Sequence, residues 1–119
     1  KMADYHETIE ELSSETKNQS RALKSLKEEV EAIDWYNQRV NASDDQHLAA
    51  IMAHNRDEEI EHACMALEWL RRNMPEWDEA LRTFLFTTGD ITELEDAMES
   101  GEGESKSSGG NSDLGIGKF

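Results

Sequence analysis

The sequence predicts an all-α fold, an antiparallel helix pair followed by a short C-terminal helix. Three observations carry this. No glycine or proline interrupts the chain from Thr8 to Asn73, so nothing in that span ends a helix by backbone chemistry alone. Apolar residues recur there at alternating steps of four and three, the period of a helix face packed against another helix. Of the seven glycines, six lie at or beyond Gly101, and the only proline is Pro75.

The elements follow in order. Helix 1 spans roughly Thr8 to Val40, bounded by the polar cluster Asn41-Ala42-Ser43-Asp44-Asp45. Ser43 or Asp44 is suited to cap the next helix, because a short oxygen-bearing side chain can accept from the free N–H groups of a first turn. Helix 2 then runs roughly Asp45 to Asn73. Met74-Pro75-Glu76 ends it and begins a third, with Pro75 at the first position, where its missing N–H costs nothing. Helix 3 reaches about Phe86, Thr87-Thr88-Gly89-Asp90 forms a turn, and Thr92 to Met98 makes a last short helix. Residues 1–99 are read as one helical domain. Residues 100–112 are Glu, Gly and Ser rich and have nothing to bury, so they read as a flexible acidic linker. Residues 113–119 carry Leu114, Ile116 and Phe119, which read either as a frayed end or as a tethered peptide that docks in a partner's groove. Lys1 ahead of Met2 reads as an added residue before the natural initiator.

Composition narrows the function. The 119 residues carry 27 acidic and 12 basic side chains, for a formal charge of -15. Phosphate binding needs clustered Lys and Arg, so this balance argues against a nucleic-acid partner. No run of 18 apolar residues exists to span a membrane, and no basic-then-apolar leader is present. The lone Cys64 has no intramolecular disulfide partner, in keeping with a reducing cytoplasm. With only 36 % apolar residues, a small core favours oligomerisation.

The seams hold the informative residues. Helix 1 reads Ala22, Leu26, Glu29, Ile33, Tyr36, Val40, with Glu29 where the pattern calls for an apolar side chain. Helix 2 reads Leu48, Met52, Asn55, Glu59, His62, Ala66, Trp69, with three polar residues in its middle. Glu59 and His62 are three apart and so share a helix face. A buried carboxylate without a partner costs several kcal/mol, so these residues need a reason to be there. A Glu29–His62 hydrogen bond is one. A polar layer that fixes pairing register is another. A metal site is the third, and counting favours it. A di-iron carboxylate bundle takes one Glu from each of two helices and Glu-x-x-His from each of two others. This chain supplies half of that. A twofold-related copy would supply the rest, with the site on the dimer axis of a four-helix bundle. Carboxylate and imidazole suit ferrous iron, manganese or zinc.

Longer stretches are similar to a known family. Val30-Glu31-Ala32-Ile33-Asp34-Trp35-Tyr36-Asn37-Gln38-Arg39-Val40 and Ala53-His54-Asn55-Arg56-Asp57-Glu58-Glu59-Ile60-Glu61-His62 resemble the encapsulated ferritins. So do Leu67-Glu68-Trp69-Leu70-Arg71-Arg72-Asn73 and Leu81-Arg82-Thr83-Phe84-Leu85-Phe86. The resemblance covers roughly Thr8 to Met98. Separately, Asp113-Leu114-Gly115-Ile116-Gly117 resembles the peptide by which cargo docks inside encapsulin shells. The resemblance implies a ferroxidase that oxidises Fe²⁺ to Fe³⁺ with dioxygen. It implies a ferritin-like four-helix bundle formed by dimerisation, and a ring of dimers, typically a decamer. It implies residence in the cytoplasm inside an encapsulin nanocompartment that stores the iron, reached through Leu114, Ile116 and Phe119.

Residue by residue, the resemblance places the di-iron centre at Glu29, Glu59 and His62 with Tyr36 beside it. It suggests that Glu28 and Glu31 attract cations at the entrance, next to Trp35; the alternative is a solvated acidic face. His54, Glu58 and Glu61 share another face and form either an outer metal site or an ordinary charged surface. Secondary sites could take other divalent cations such as Ca²⁺ or Zn²⁺. Met52, Met65, Trp69, Leu70, Trp77, Phe84 and Phe86 read as core or interface packing, and Cys64 as a buried or interfacial thiol.

Overall fold

The computed structural model describes residues 5–100. The linker and docking peptide expected beyond Ser100 lie outside the described residues. Those described form four α-helices and no strand: α1 (Ser14–Ala42), α2 (Gln46–Asn73), α3 (Pro75–Phe84) and α4 (Ile91–Ser100). The chain falls into two compact units, one up to Asn73 and one from Met74.

In the first unit α1 and α2 pack against each other, joined by only three residues. α1 begins at Ser14, six residues later than the absence of helix breakers suggests. Ile9–Glu11 instead makes a turn of 3₁₀ helix, and the Ser13 hydroxyl accepts from the Thr16 N–H at 3.0 Å. A side-chain oxygen that satisfies a free first-turn donor fixes where the helix starts. The cap of α2 is Asp45 rather than Ser43 or Asp44. Its Oδ1 accepts from the Leu48 N–H at 3.1 Å, while the Ser43 hydroxyl accepts from the Asp45 N–H and braces the loop. At the far end of α2, Glu68 receives the Arg71 guanidinium through Nε and Nη2, both at 2.9 Å, and Arg72 Nε at 2.7 Å. The two guanidiniums hold the Glu68 carboxyl down at about 2.

The seam residues Ala22, Leu26, Glu29, Ile33, Tyr36 and Val40 are all half-buried. Among the described residues only Leu70 is completely buried. Removing such a side chain from water stabilises a fold by about 1.5–3 kcal/mol. Val30, Ile51, Ile60 and Met65 stand exposed, and so does Cys64. A helix pair alone is too thin to cover both of its own faces.

In the second unit α3 packs against α4. Pro75 occupies the first turn of α3 as expected. α3 stops at Phe84, not Phe86, because Leu85 is extended and Phe86 turns to φ 61°. The Thr87 hydroxyl donates to the freed Phe84 carbonyl at 2.7 Å. Asp90 opens α4: its Oδ1 accepts from the Thr92 hydroxyl at 2.7 Å and the Thr92 N–H at 3.0 Å. Those donors, the hydroxyl first, lower the Asp90 carboxyl below its usual range. The Thr83 hydroxyl and Met98 Sδ, 3.2 Å apart, join α3 to α4. Trp77 and Phe84 are half-buried in this unit, and Phe86 is exposed.

Candidate metal centre

Two packed helices joined by a short loop bring residues of equal depth together. On α1 Glu29 faces the middle of α2, where Glu59 and His62 lie three residues apart on one face. His62 Nδ1 stands 3.5 Å from Glu59 Oε1 and 3.8 Å from Glu29 Oε1. One ligand atom from each of the three lies within 4.8 Å of the others. Among the described residues this is the one such cluster of His, Cys, Asp or Glu.

The donor set fits a divalent cation. Ligand atoms about 2.0–2.2 Å from one ion lie at most about 4.4 Å apart, so small side-chain rotations would close these three around it. Two carboxylates and an imidazole suit Fe²⁺, Mn²⁺ or Zn²⁺ better than soft ions. The electrostatics are those of a site with charge to neutralise. The Glu29 carboxyl is raised above its ordinary 4.5. Its hydrogen bond with Glu59 is the largest cause, followed by burial and the like charge of Glu59; His62 acts the other way, and Glu28 adds to the rise. Two like charges set this close favour a cation between them.

The cluster is open on one side. The side chains of Glu29 and Glu59 are 26 % exposed, and that of His62 46 %. They interrupt a seam whose neighbours Leu26, Ile33 and Ala66 are half-buried. The three residues predicted as ligands are thus together, and the face they share is uncovered.

The other predicted positions separate. Tyr36 is half-buried on the same face of α1, with the Arg39 guanidinium 5.3 Å from its ring centre. Glu28 and Glu31 are exposed, as is Trp35. His54 Nε2 comes to 3.8 Å from Glu58 Oε2 on the exposed side of α2, but Glu61 does not close a three-residue cluster with them. A cross-helix contact that the sequence did not disclose ties Arg56 to Asn37: Arg56 Nη1 donates to Asn37 Oδ1 at 3.0 Å. Both residues stand in the stretches that carry the resemblance, yet nothing in spacing pairs residues 19 apart.

A helix pair that presents carboxylates and an imidazole along an open seam defines an all-α, ferritin-like protein. The chain belongs to the EncFtn-like family, which it matches over residues 4–88, and this bears out its resemblance to the encapsulated ferritins. It is 58 % identical to the "Ferritin-like protein" of Thermotoga maritima across 99 % of this chain and all of that one. It is 55 % identical to the "Encapsulated ferritin-like protein" of Rhodospirillum rubrum across 96 % of this chain and 86 % of that one. A crystal structure of protein ne0167 from Nitrosomonas europaea superposes with a TM-score of 0.71 at 57 % identity, covering 73 % of this chain and 96 % of that one. Among the described residues no helix is long and apolar enough to cross a membrane.

Proposed function

We propose that the protein is a ferroxidase, oxidising Fe²⁺ to Fe³⁺ with dioxygen at a centre that two copies complete. The observation that carries this reading is the open half-site of Glu29, Glu59 and His62 on the seam of a helix pair from a ferritin-like family. Fe²⁺ is the substrate. Two ions held side by side can each give one electron to the same dioxygen molecule, which one isolated ion cannot do. A twofold-related copy would bring a second Glu29, Glu59 and His62 against the first set and would cover that open face in the same step.

The chain's own residues divide the work. Glu29 and Glu59 would each offer a carboxylate oxygen to a cation held between them. His62 would offer Nδ1, the ring nitrogen that already faces both carboxylates. Tyr36, on the same face of α1, closes that side of the site. Glu28 and Glu31, exposed beside Trp35, draw cations in, aided by a protein-wide charge of -15 that concentrates cations at the surface. His54 with Glu58, a solvated pair that Glu61 does not join, would hold cations such as Ca²⁺ or Zn²⁺ only weakly.

The name of the Rhodospirillum relative supports a second element of the reading: the protein is cargo of an encapsulin shell, where the oxidised iron is stored. Leu114, Ile116 and Phe119 would dock it there, and a decameric ring of dimers is the expected assembly. The alternative is a helical oligomer that binds divalent cations such as zinc without turnover. Aerobic Fe²⁺ oxidation separates the two. A rate above that of buffer, lost in Glu29→Ala, is expected of the ferroxidase. A rate no higher than buffer, or a Glu29→Ala variant as fast as the parent, would overturn it.

A further inference from the structure

We propose that Arg56 is a positioning residue for the metal centre, acting through Asn37 to hold the Glu59–His62 turn of α2 in register with Glu29. The proposal rests on the reading of Glu29, Glu59 and His62 as metal ligands.

Asn37 lies five residues before the end of α1, and Arg56 lies ten residues after the start of α2. At about 1.5 Å per residue, the two positions are offset by roughly 7 Å along the helix axes. Side chains on a helix lean toward its N-terminus. For α2 that means toward the loop, and for α1 away from it. The long Arg56 side chain therefore reaches back to meet Asn37, and its Nη1 donates to Asn37 Oδ1 at 3.0 Å. The guanidinium is steadied on its own helix by Asp57, which accepts from Nε at 3.1 Å. Its side chain is only 28 % exposed.

Arg56 precedes Glu59 by three residues and His62 by six, so it is anchored in the segment that carries both ligands. The loop fixes the helix pair at one end only, and the centre stands about 20 Å from it. Over that length an apolar seam resists sliding weakly, because one methylene packs much like another. A directional link between the loop and the centre resists it well. Metal ligands need that help, since displacements of a few tenths of an ångström decide whether three donors can share an ion.

The charge on Arg56 makes the proposal testable by sign. A cation near a metal site repels metal, so deleting it would tighten metal binding if charge were its only influence. A positioning role demands the reverse. Co²⁺, which does not react with dioxygen at such a site as Fe²⁺ does, reports both affinity and ligand geometry through its visible absorption. In the full-length protein, Arg56→Leu and Asn37→Leu are each expected to weaken Co²⁺ binding about five- to tenfold and to change the band shape. The double variant is expected to be no weaker than either single one, because both remove one link. Asn37 is exposed in the single chain, so Asn37→Leu leaves the helix pair folded even if Arg56→Leu does not fold. Unchanged or tighter binding in Asn37→Leu, with unchanged bands, would overturn the proposal. A parent protein whose Co²⁺ spectrum survives His62→Ala would overturn the reading of the centre, and the positioning role with it.

Discussion

Glu29 and Glu59 sit at equal depth in the helix pair. Glu29 is thirteen residues before Ala42, the last of α1, and Glu59 is thirteen residues after Gln46, the first of α2. An antiparallel hairpin with a short loop brings such positions face to face, and here it sets two carboxylates against each other on a seam that is mostly apolar toward its ends. Each would be better solvated alone. Their juxtaposition makes sense when something positive comes between them.

That relationship has a pH signature. Because the folded state raises the Glu29 carboxyl, it binds a proton more tightly than the unfolded chain does. The proton-linked stability is fully present below the ordinary value of 4.5 and is lost as pH rises through the raised value. Above it, the metal-free centre holds two repelling carboxylates. Glu29→Gln should therefore melt at a higher temperature than the parent near neutral pH in the presence of a chelator, and the gain should vanish toward pH 4. Excess metal should reverse the order. Thermal unfolding followed by circular dichroism across that range checks all three. A Glu29→Gln variant that is no more stable than the chelated parent at neutral pH would show that the carboxylates do not strain each other.

Much of this was legible in the sequence because helix seams are written locally. The four-three spacing placed Glu29, Glu59 and His62 on facing surfaces, and the structure brings them within one ion's reach. Pro75 fixed the start of α3 through its own ring chemistry. The misses have a common cause. Thr8 to Leu12 carry helix-compatible residues, but the Ser13 hydroxyl claims the Thr16 N–H and starts α1 there. Phe86 bears no sign in its identity that it adopts φ 61°. The link between Arg56 and Asn37 joins residues 19 apart, and no local pattern encodes it. Periodicity reports faces; which cap wins and which polar pairs meet across helices depends on how the chain packs in space.

The half-site sets an expected stoichiometry. Native mass spectrometry after anaerobic addition of Fe²⁺ should show an even number of subunits carrying about two irons per pair. His62→Ala should lower that count without altering subunit number if the apolar seam alone drives pairing. A monomer that binds two irons would contradict a shared centre. An assembly that binds none would remove the metal altogether and leave the polar layer as a device for pairing register.

Leu70 is the tightest test of the fold itself. It is fully buried near the C-terminal end of α2, one turn before Asn73 closes the helix by donating to the Trp69 carbonyl at 2.8 Å. Leu70→Ala should destabilise the protein by about 2–5 kcal/mol, the range for a truncated core leucine. Met65→Ala, on the exposed side of the same helix, should cost much less in the isolated chain and more in the assembled one. Comparing the two by denaturant unfolding above and below the assembly concentration separates core from interface. Equal costs at both concentrations would mean that Met65 lies outside any contact between copies.

The C-terminal tail gives an expectation independent of the metal. Residues 113–119 follow a Gly, Ser and Glu rich stretch of sequence, and the proposed role for them is docking in an encapsulin shell. Deleting them should leave the Fe²⁺ oxidation rate and the subunit number unchanged, while abolishing co-purification with a co-expressed encapsulin shell. Replacing Leu114, Ile116 and Phe119 together by Ser should do the same, because a groove that reads spaced apolar side chains loses its anchors but keeps the backbone. If the truncated protein still loads into shells, the docking determinant lies in the helical part of the chain. If truncation slows oxidation outside a shell, the tail acts on the centre and is more than a tether.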